Sequence, residues 1–219
     1  MGSEMCIRDS TYAVVPNFAL ELAARYGAPA AGEELDFSNV DGIIIGSEPV
    51  TESAVNSFWE TFGKEEYGLR REVLRPSYGM AEASLIVSTP QTPERPLISH
   101  FDRERLAQGE AVIVEKSENS VAYASCGQSV VAQELTIVDP ETRAELADGL
   151  IGEIWLHGDN RAAGYLDRAE ETAATFHNSL GTRLAEGTRV PDAPADSNWL
   201  ATGDSVSYTH LRAHETDSY

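Results

Sequence analysis

The run Val40-Asp41-Gly42-Ile43-Ile44-Ile45-Gly46 limits the possible folds of this chain more than any other segment. Three successive isoleucines favour extended backbone, and without polar alternation both faces of the strand need cover. Such strands sit inside parallel sheets, with helices packed on either side. The neighbouring sequence supplies the helices. Residues 17–26 (NFALELAARY) carry apolar side chains at helical spacing and stop at Gly27. Residues 51–62 (TESAVNSFWETF) predict a second helix, with Thr51 as N-cap and Glu52 favourable in the first turn. Val73-Leu74-Arg75 is strand-like and ends at Pro76. Strand, helix and strand in that order predict a βαβ unit and an α/β fold.

After residue 84 the pattern changes. Short strand-like runs recur near 85–88, 111–114, 134–138 and 151–157, separated by polar turns such as Asp139-Pro140-Glu141-Thr142 and Asp148-Gly149. Residues 168–177 predict a helix, and 181–198, rich in Gly, Pro, Asp and Ala, an exposed loop. The expected organisation is an α/β part over 11–84 followed by a β-rich part over 85–204.

The two ends have a different character. Gly2–Asp9 (GSEMCIRD), back-translated with one choice of codons and reverse-complemented, spells Val206–Ala213 (VSYTHLRA). This inverted repeat resembles a translated transposon adaptor of the kind used in sequencing libraries. Residues 1–10 and about 205–219 are therefore expected to be foreign and are set aside from fold reasoning.

Composition narrows the partners. Sixteen Lys and Arg against 36 Asp and Glu give a formal charge of −20. A surface this acidic repels phosphate backbones, which argues against nucleic acid. No apolar run approaches the roughly 20 residues that cross a bilayer, so no transmembrane segment is expected. With Cys6 in the foreign head, Cys126 stands alone, and a cytoplasmic setting follows. A small buried thiol is the commoner role for such a cysteine.

Four segments carry candidate chemistry. Gly46-Ser47-Glu48-Pro49 follows the buried strand, where open α/β sheets bind ligands; a plain strand–turn–helix joint explains it equally well. Arg75–Ala83 (RPSYGMAEA) crowds an aromatic, a glycine and a carboxylate into one loop. Either Tyr78 packs a base while Glu82 holds Mg²⁺ on phosphate oxygens, or the loop is a tight turn whose Glu caps the next helix. Gly152–Gly158 (GEIWLHG) alternates as a half-buried strand, with Gly164-Tyr165-Leu166 beyond it; His157 suits a hydrogen-bonded structural role better than a catalytic one. Trp199–Asp204 (WLATGD) ends in an acid that is either a turn-former or an acceptor for ribose hydroxyls.

Together, GSEP, SYGMAE, GEIWLHG with GYL, and WLATGD resemble the ordered core motifs of the adenylate-forming superfamily, over residues 40–204. The resemblance implies a partial large N-terminal domain, with an α/β sheet unit followed by a β-rich subdomain. It implies ATP/AMP and Mg²⁺ as cofactors. Gly46, Ser47, Glu48 and Pro49 would line the adenine pocket with Ser77, Tyr78, Gly79 and Met80. Glu82 would be the catalytic metal ligand, and Asp204 would hold the ribose.

Two features resemble the fatty acyl-AMP ligases, most of all the branch serving mycolic-acid assembly. Ala81 stands where acyl-CoA synthetases usually carry threonine, and Pro90–Glu118 looks like the ligases' insertion, thought to restrict the CoA-dependent step. Residues 12–22 resemble that family's acyl-pocket helix, with Asn17 and Phe18 as substrate-binding residues. The implied partners are a fatty acid and an acyl carrier protein or polyketide synthase carrier domain. The sequence departs from the family at Ala201, where arginine is usual. The upstream phosphate loop, the hinge and the mobile domain are missing, and the only lysines, Lys64 and Lys116, do not match the adenylation lysine. The chain by itself is therefore expected to be inactive, with exposed strand edges that favour aggregation. The rival expectations are an acyl-CoA synthetase fragment and a non-catalytic AMP-binding module.

Overall fold

The computed structural model describes residues 12–30, 34–130, 133–192, 194 and 197–209. The expected foreign head and residues 210–219 lie outside the described residues. Contacts divide the described chain into two compact units: one from Met1–Met80, Leu85–His100 and Ala122–Val130, the other from Ala81–Ser84, Phe101–Val121 and Val131–Tyr219. The division differs from a single boundary at residue 84, because β-strand pairing returns two later segments to the first unit.

The first unit opens on β1 (Tyr12–Pro16), α1 (Asn17–Tyr26), β2 (Gly42–Gly46), α2 (Glu52–Phe62) and β3 (Leu74–Pro76). All three strands are parallel, in the order β1-β2-β3. The helix expected over 12–22 therefore begins only at Asn17. Tyr12–Val15 is strand because β-branched residues favour extended backbone and Pro16 bars its predecessor from the helical region. Thr51 caps α2 as expected, its hydroxyl accepting from Ala54 N at 3.2 Å. The core joins Leu20 of α1, Ile43 and Ile45 of β2, Ala54, Val55, Phe58 and Phe62 of α2, and Val73 and Leu74. Phe58 and Phe62 stack with ring centroids 4.8 Å apart.

Strands β4 (Tyr78–Met80) and β5 (Leu85–Thr89) follow as an antiparallel pair. The expected insertion is structured: β6 (Ile98–Asp102), α3 (Arg103–Ala107) and β7 (Ile113–Val114) lie within it. Asp102 caps α3 through Glu104 N and Arg105 N, both at 2.9 Å. Ile98 packs against the first core, and His100 lies 3.7 Å from Glu52 at the start of α2. Strands β8 (Ser120–Ala124) and β9 (Gln128–Ser129) come next, β9 completing the sheet β4-β5-β9.

The second unit is built on the antiparallel sheet β10-β11-β12, with β10 Gln133–Val138, β11 Gly152–Gly158 and β12 Leu200–Val206. Helix α4 (Ala169–Phe176) precedes β12. Val138, Trp155, Val190 and Trp199 form its core cluster. The expected tail begins inside this sheet: Ser205 and Val206 pair with Glu153 and Gly152, and Tyr208 OH donates to Leu135 O at 3.1 Å. Burial pushes the Tyr208 phenol up to about 12. Strand pairing draws on main-chain groups, so it holds whatever the origin of these residues.

The described residues of 181–198 are irregular, as expected, but not simply exposed. Val190 is fully buried. The segment is pinned by Glu145, itself 4% exposed, which accepts from Thr136 Oγ1, Leu184 N, Thr188 Oγ1 and Arg189 N at 2.8–3.2 Å. Burial alone would raise the Glu145 carboxyl, but the four donors outweigh it and hold the group below its ordinary value. A carboxyl depressed on folding adds stability above its unfolded value near about 4.3, and that stability is lost as pH falls through the folded value. Glu145→Gln is expected to cost about 2 kcal/mol at pH 7 through mismatched buried donors. The difference from the unmutated chain should shrink toward zero below pH 4 in urea unfolding.

Candidate functional site

The candidate residues divide between the units. In the first, β2 and β3 run parallel, and their carboxyl ends deliver Gly46–Pro49 and Ser77–Met80, which runs into β4, as neighbouring segments. Ser77 N donates to Ile45 O at 2.8 Å, and a Cβ on Gly46 would stand 3.2 Å from Ser77 O. Ser47 adopts a left-handed backbone at φ 66°, which turns the chain away from the sheet. Ser77 is buried, its hydroxyl donating to Arg75 O at 3.0 Å and lying 2.9 Å from Thr89 Oγ1.

Two side chains assigned to ligands have structural partners. Glu48 Oε1 accepts from Phe18 N at 2.7 Å, placing a carboxylate at the start of α1, where the N-cap Pro16 offers no side-chain hydrogen bond. Asn17 is buried, and its Oδ1 accepts from Thr51 N at 3.0 Å. Asn17 and Glu48 thus tie the beginnings of both helices to the loop after β2. Phe18 is half exposed at 54% and shares an apolar stripe with Leu22 and Tyr26, at successive four-residue steps along α1.

Gly79 is exposed on β4, where a Cβ would fall 1.9 Å from Leu85 O. Ser84 and Leu85 make the return with φ of 60° and 128°, strained values for side-chain-bearing residues. The Tyr78 hydroxyl reaches Met80 Sδ at 3.8 Å.

In the second unit, Glu82 lies on the 3₁₀ turn Ala81–Ala83. Its Oε1 accepts from Tyr165 OH at 2.7 Å, and its carbonyl accepts from Ala162 N at 2.7 Å. Glu82 therefore does not cap a following α-helix. The Tyr165 phenol is raised above the usual tyrosine range, first by its hydrogen bond to Glu82 and then by burial. Asp204 is exposed on β12, its amide donating to Thr202 Oγ1 at 3.1 Å. Glu153 steadies that turn: Oε1 accepts from Gly203 N at 2.6 Å and Oε2 from Trp155 Nε1 at 3.0 Å. The ring of His157 lies 5.4 Å from that of Trp199, a packing role. Burial pushes the Cys126 thiol up, so it is a poor nucleophile.

Tyr165 and Glu153 were present in the sequence motifs without a role, because each acts on a residue distant along the chain. Among the described residues no group of three His, Cys, Asp or Glu is placed to cage a metal. A lone carboxylate with one committed oxygen fits Mg²⁺, which commonly takes one or two carboxylates and completes its shell with phosphates and water.

The loops that follow parallel strands are where open α/β sheets bind ligands. Residues 8–166 match the family model described as AMP-binding enzyme, and the chain belongs to that family. It is 46% identical over 200 residues to the long-chain-fatty-acid–AMP ligase FadD32 of Mycobacterium marinum, covering 90% of this chain and 31% of that protein. The FadD32 ligase of Mycolicibacterium smegmatis is 42% identical over 196 residues, with 89% and 31% covered. The chain thus spans about a third of the length of these relatives. Among solved structures, a Legionella pneumophila fatty acyl-adenylate ligase in complex with acyl adenylate and pyrophosphate superposes with a TM-score of 0.75. That match has 28% identity, over 92% of this chain and 33% of the other.

Gly79→Ala is expected to cost at least about 2 kcal/mol, since the methyl group collides with main chain rather than a flexible side chain. A lowered urea midpoint with loss of β4–β5 amide protection would show it.

Proposed function

We propose that this chain is part of a fatty acyl-AMP ligase, catalysing fatty acid + ATP → fatty acyl-AMP + pyrophosphate, the acyl group then passing to an acyl carrier protein or a polyketide synthase carrier domain. The observation that carries this is the meeting of Gly46–Pro49 and Ser77–Met80 at adjacent carboxyl ends of parallel strands. The FadD32 relatives supply the acid and the reaction by likeness.

Gly46, Ser47 and Pro49 would present backbone to the adenine, with Ser77, Tyr78, Gly79 and Met80 opposite. Glu48 would act through the α1 amide it caps. Asp204 would accept from the ribose hydroxyls. Phe18, with Leu22 and Tyr26, offers an exposed apolar wall to the acyl chain, and Asn17 fixes the helix that bears it. Glu82 would hold Mg²⁺, which when bound neutralises charge on the phosphates. The acid's carboxylate attacks the α-phosphorus in line with departing pyrophosphate, and the pocket supplies orientation. The insertion is structured and packs Ile98 against the first core, which supports the ligase-type insertion over a plain surface loop. A cytoplasmic setting suits Cys126, the free thiol among the described residues.

A second reading rests on relatives named as putative fatty-acid–CoA ligases: fadD25 of Mycobacterium tuberculosis is 40% identical over 194 residues. Acyl-CoA formation on adding CoA would select it.

In the full-length protein, labelled pyrophosphate should exchange into ATP only when a long-chain fatty acid is present. Glu82→Gln should reduce that exchange by about two orders of magnitude. Exchange that is independent of acid, or indifferent to Glu82→Gln, would contradict the proposal.

A further inference from the structure

Tyr165 lies 83 residues from Glu82 in sequence, yet its hydroxyl donates to one carboxylate oxygen at 2.7 Å. The contact is one of several. The segment around Tyr165 grips the Ala81–Ser84 turn through Ala162 N to Glu82 O at 2.7 Å, Ser84 Oγ to Asn160 O at 2.7 Å, and Asn160 Nδ2 to Ala83 O at 3.2 Å. Tyr165 is itself held from two sides. Its amide donates to Thr172 Oγ1 at 2.9 Å, and its ring meets fully buried Phe176 edge-on, with centroids 5.3 Å apart. Gly164 permits this approach: at φ 141°, a Cβ there would stand 2.4 Å from Thr172 Cγ2.

We propose that Tyr165 is the positioning residue of Glu82, occupying Oε1 and turning Oε2 toward the cation. The inference rests on the reading of Glu82 as the Mg²⁺ ligand. Without a partner, a glutamate on a short 3₁₀ turn samples several rotamers, and ordering it on binding opposes cation capture. The phenol removes that freedom beforehand. It also leaves Glu82 a one-oxygen ligand, as suits a metal that keeps phosphate and water in most of its positions. Helix α4, through Thr172 and Phe176, then belongs to the machinery that orients a carboxylate outside its own segment.

The test uses the full-length protein with two readouts: the Mg²⁺ dependence of pyrophosphate exchange, and equilibrium binding of Mn²⁺–ATP followed by water-proton relaxation. Tyr165→Phe keeps the ring on Phe176 and deletes the hydroxyl. It should raise the half-saturating Mg²⁺ concentration and weaken Mn²⁺–ATP binding by about tenfold. Metal-free AMP affinity and the thermal midpoint should stay unchanged. Thr172→Val, which loosens the Tyr165 backbone, should shift both metal readouts the same way by less. If Tyr165→Phe leaves the metal dependence unchanged, or weakens AMP and Mn²⁺–ATP equally, the positioning role is overturned. If Glu82→Gln also leaves the metal dependence unchanged, the reading of Glu82 itself fails; if Glu82→Gln shifts it and Tyr165→Phe does not, only the role of Tyr165 fails.

Discussion

Parallel pairing of β2 between β1 and β3 is the constraint on which the first unit depends. Gly42–Gly46 pairs with β1 along its length and with β3 over Ile43–Ile45, and fully buried Ile45 shares one core with Leu20 and Phe58 of the two helices. Because all three strands run the same way, their carboxyl ends fall on one side, and the chain leaves the sheet there three times, at Pro16, Gly46 and Pro76. The proximity of Gly46 to the Ser77 carbonyl follows from that register. The candidate site is thus a consequence of strand direction before it is a matter of side-chain chemistry.

Side chains then fix the loops those strands deliver. Glu48 caps α1, Asn17 accepts from Thr51, and Thr51 caps α2, so three short polar contacts bind the helix starts to the loop after β2. In the second unit the same logic recurs with larger sequence separation. Tyr165 reaches Glu82, Glu153 reaches Gly203, and Glu145 gathers Leu184, Thr188 and Arg189. Each carboxylate is satisfied by donors from a distant segment, the condition for burying or half-burying such a group.

Local signals in the sequence were sufficient for much of this. The isoleucine run, the helical periodicity of 17–26 and the Thr51 cap all depend on near neighbours, and each matches its element closely. Short strands were less legible. Tyr12–Pro16 was hidden by likeness to a helix, and Leu200–Val206 by a Gly-Asp pair that reads as a turn. Gly203, at φ 77°, does bend the chain, but the strand continues past it through pairing with β11. The candidate site was legible as motifs and not as geometry. Which group meets which partner depends on folding: Tyr165 reaches Glu82, Glu48 accepts from the Phe18 amide, and Asn17 accepts from the Thr51 amide. The grip of Glu145 on 184–189 left no sequence signal, because two of its four donors are main-chain amides and those on 184–189 lie in a distant segment.

The central claim is that the loops after β2 and β3 form the adenine site. Photolabelling of the full-length protein with 8-azido-ATP, followed by peptide mapping, tests it most directly. Label confined to peptides containing 46–49 and 77–80, and lost in competition with AMP, is the predicted result. AMP-protected label concentrated elsewhere, with those peptides unmodified, would contradict it.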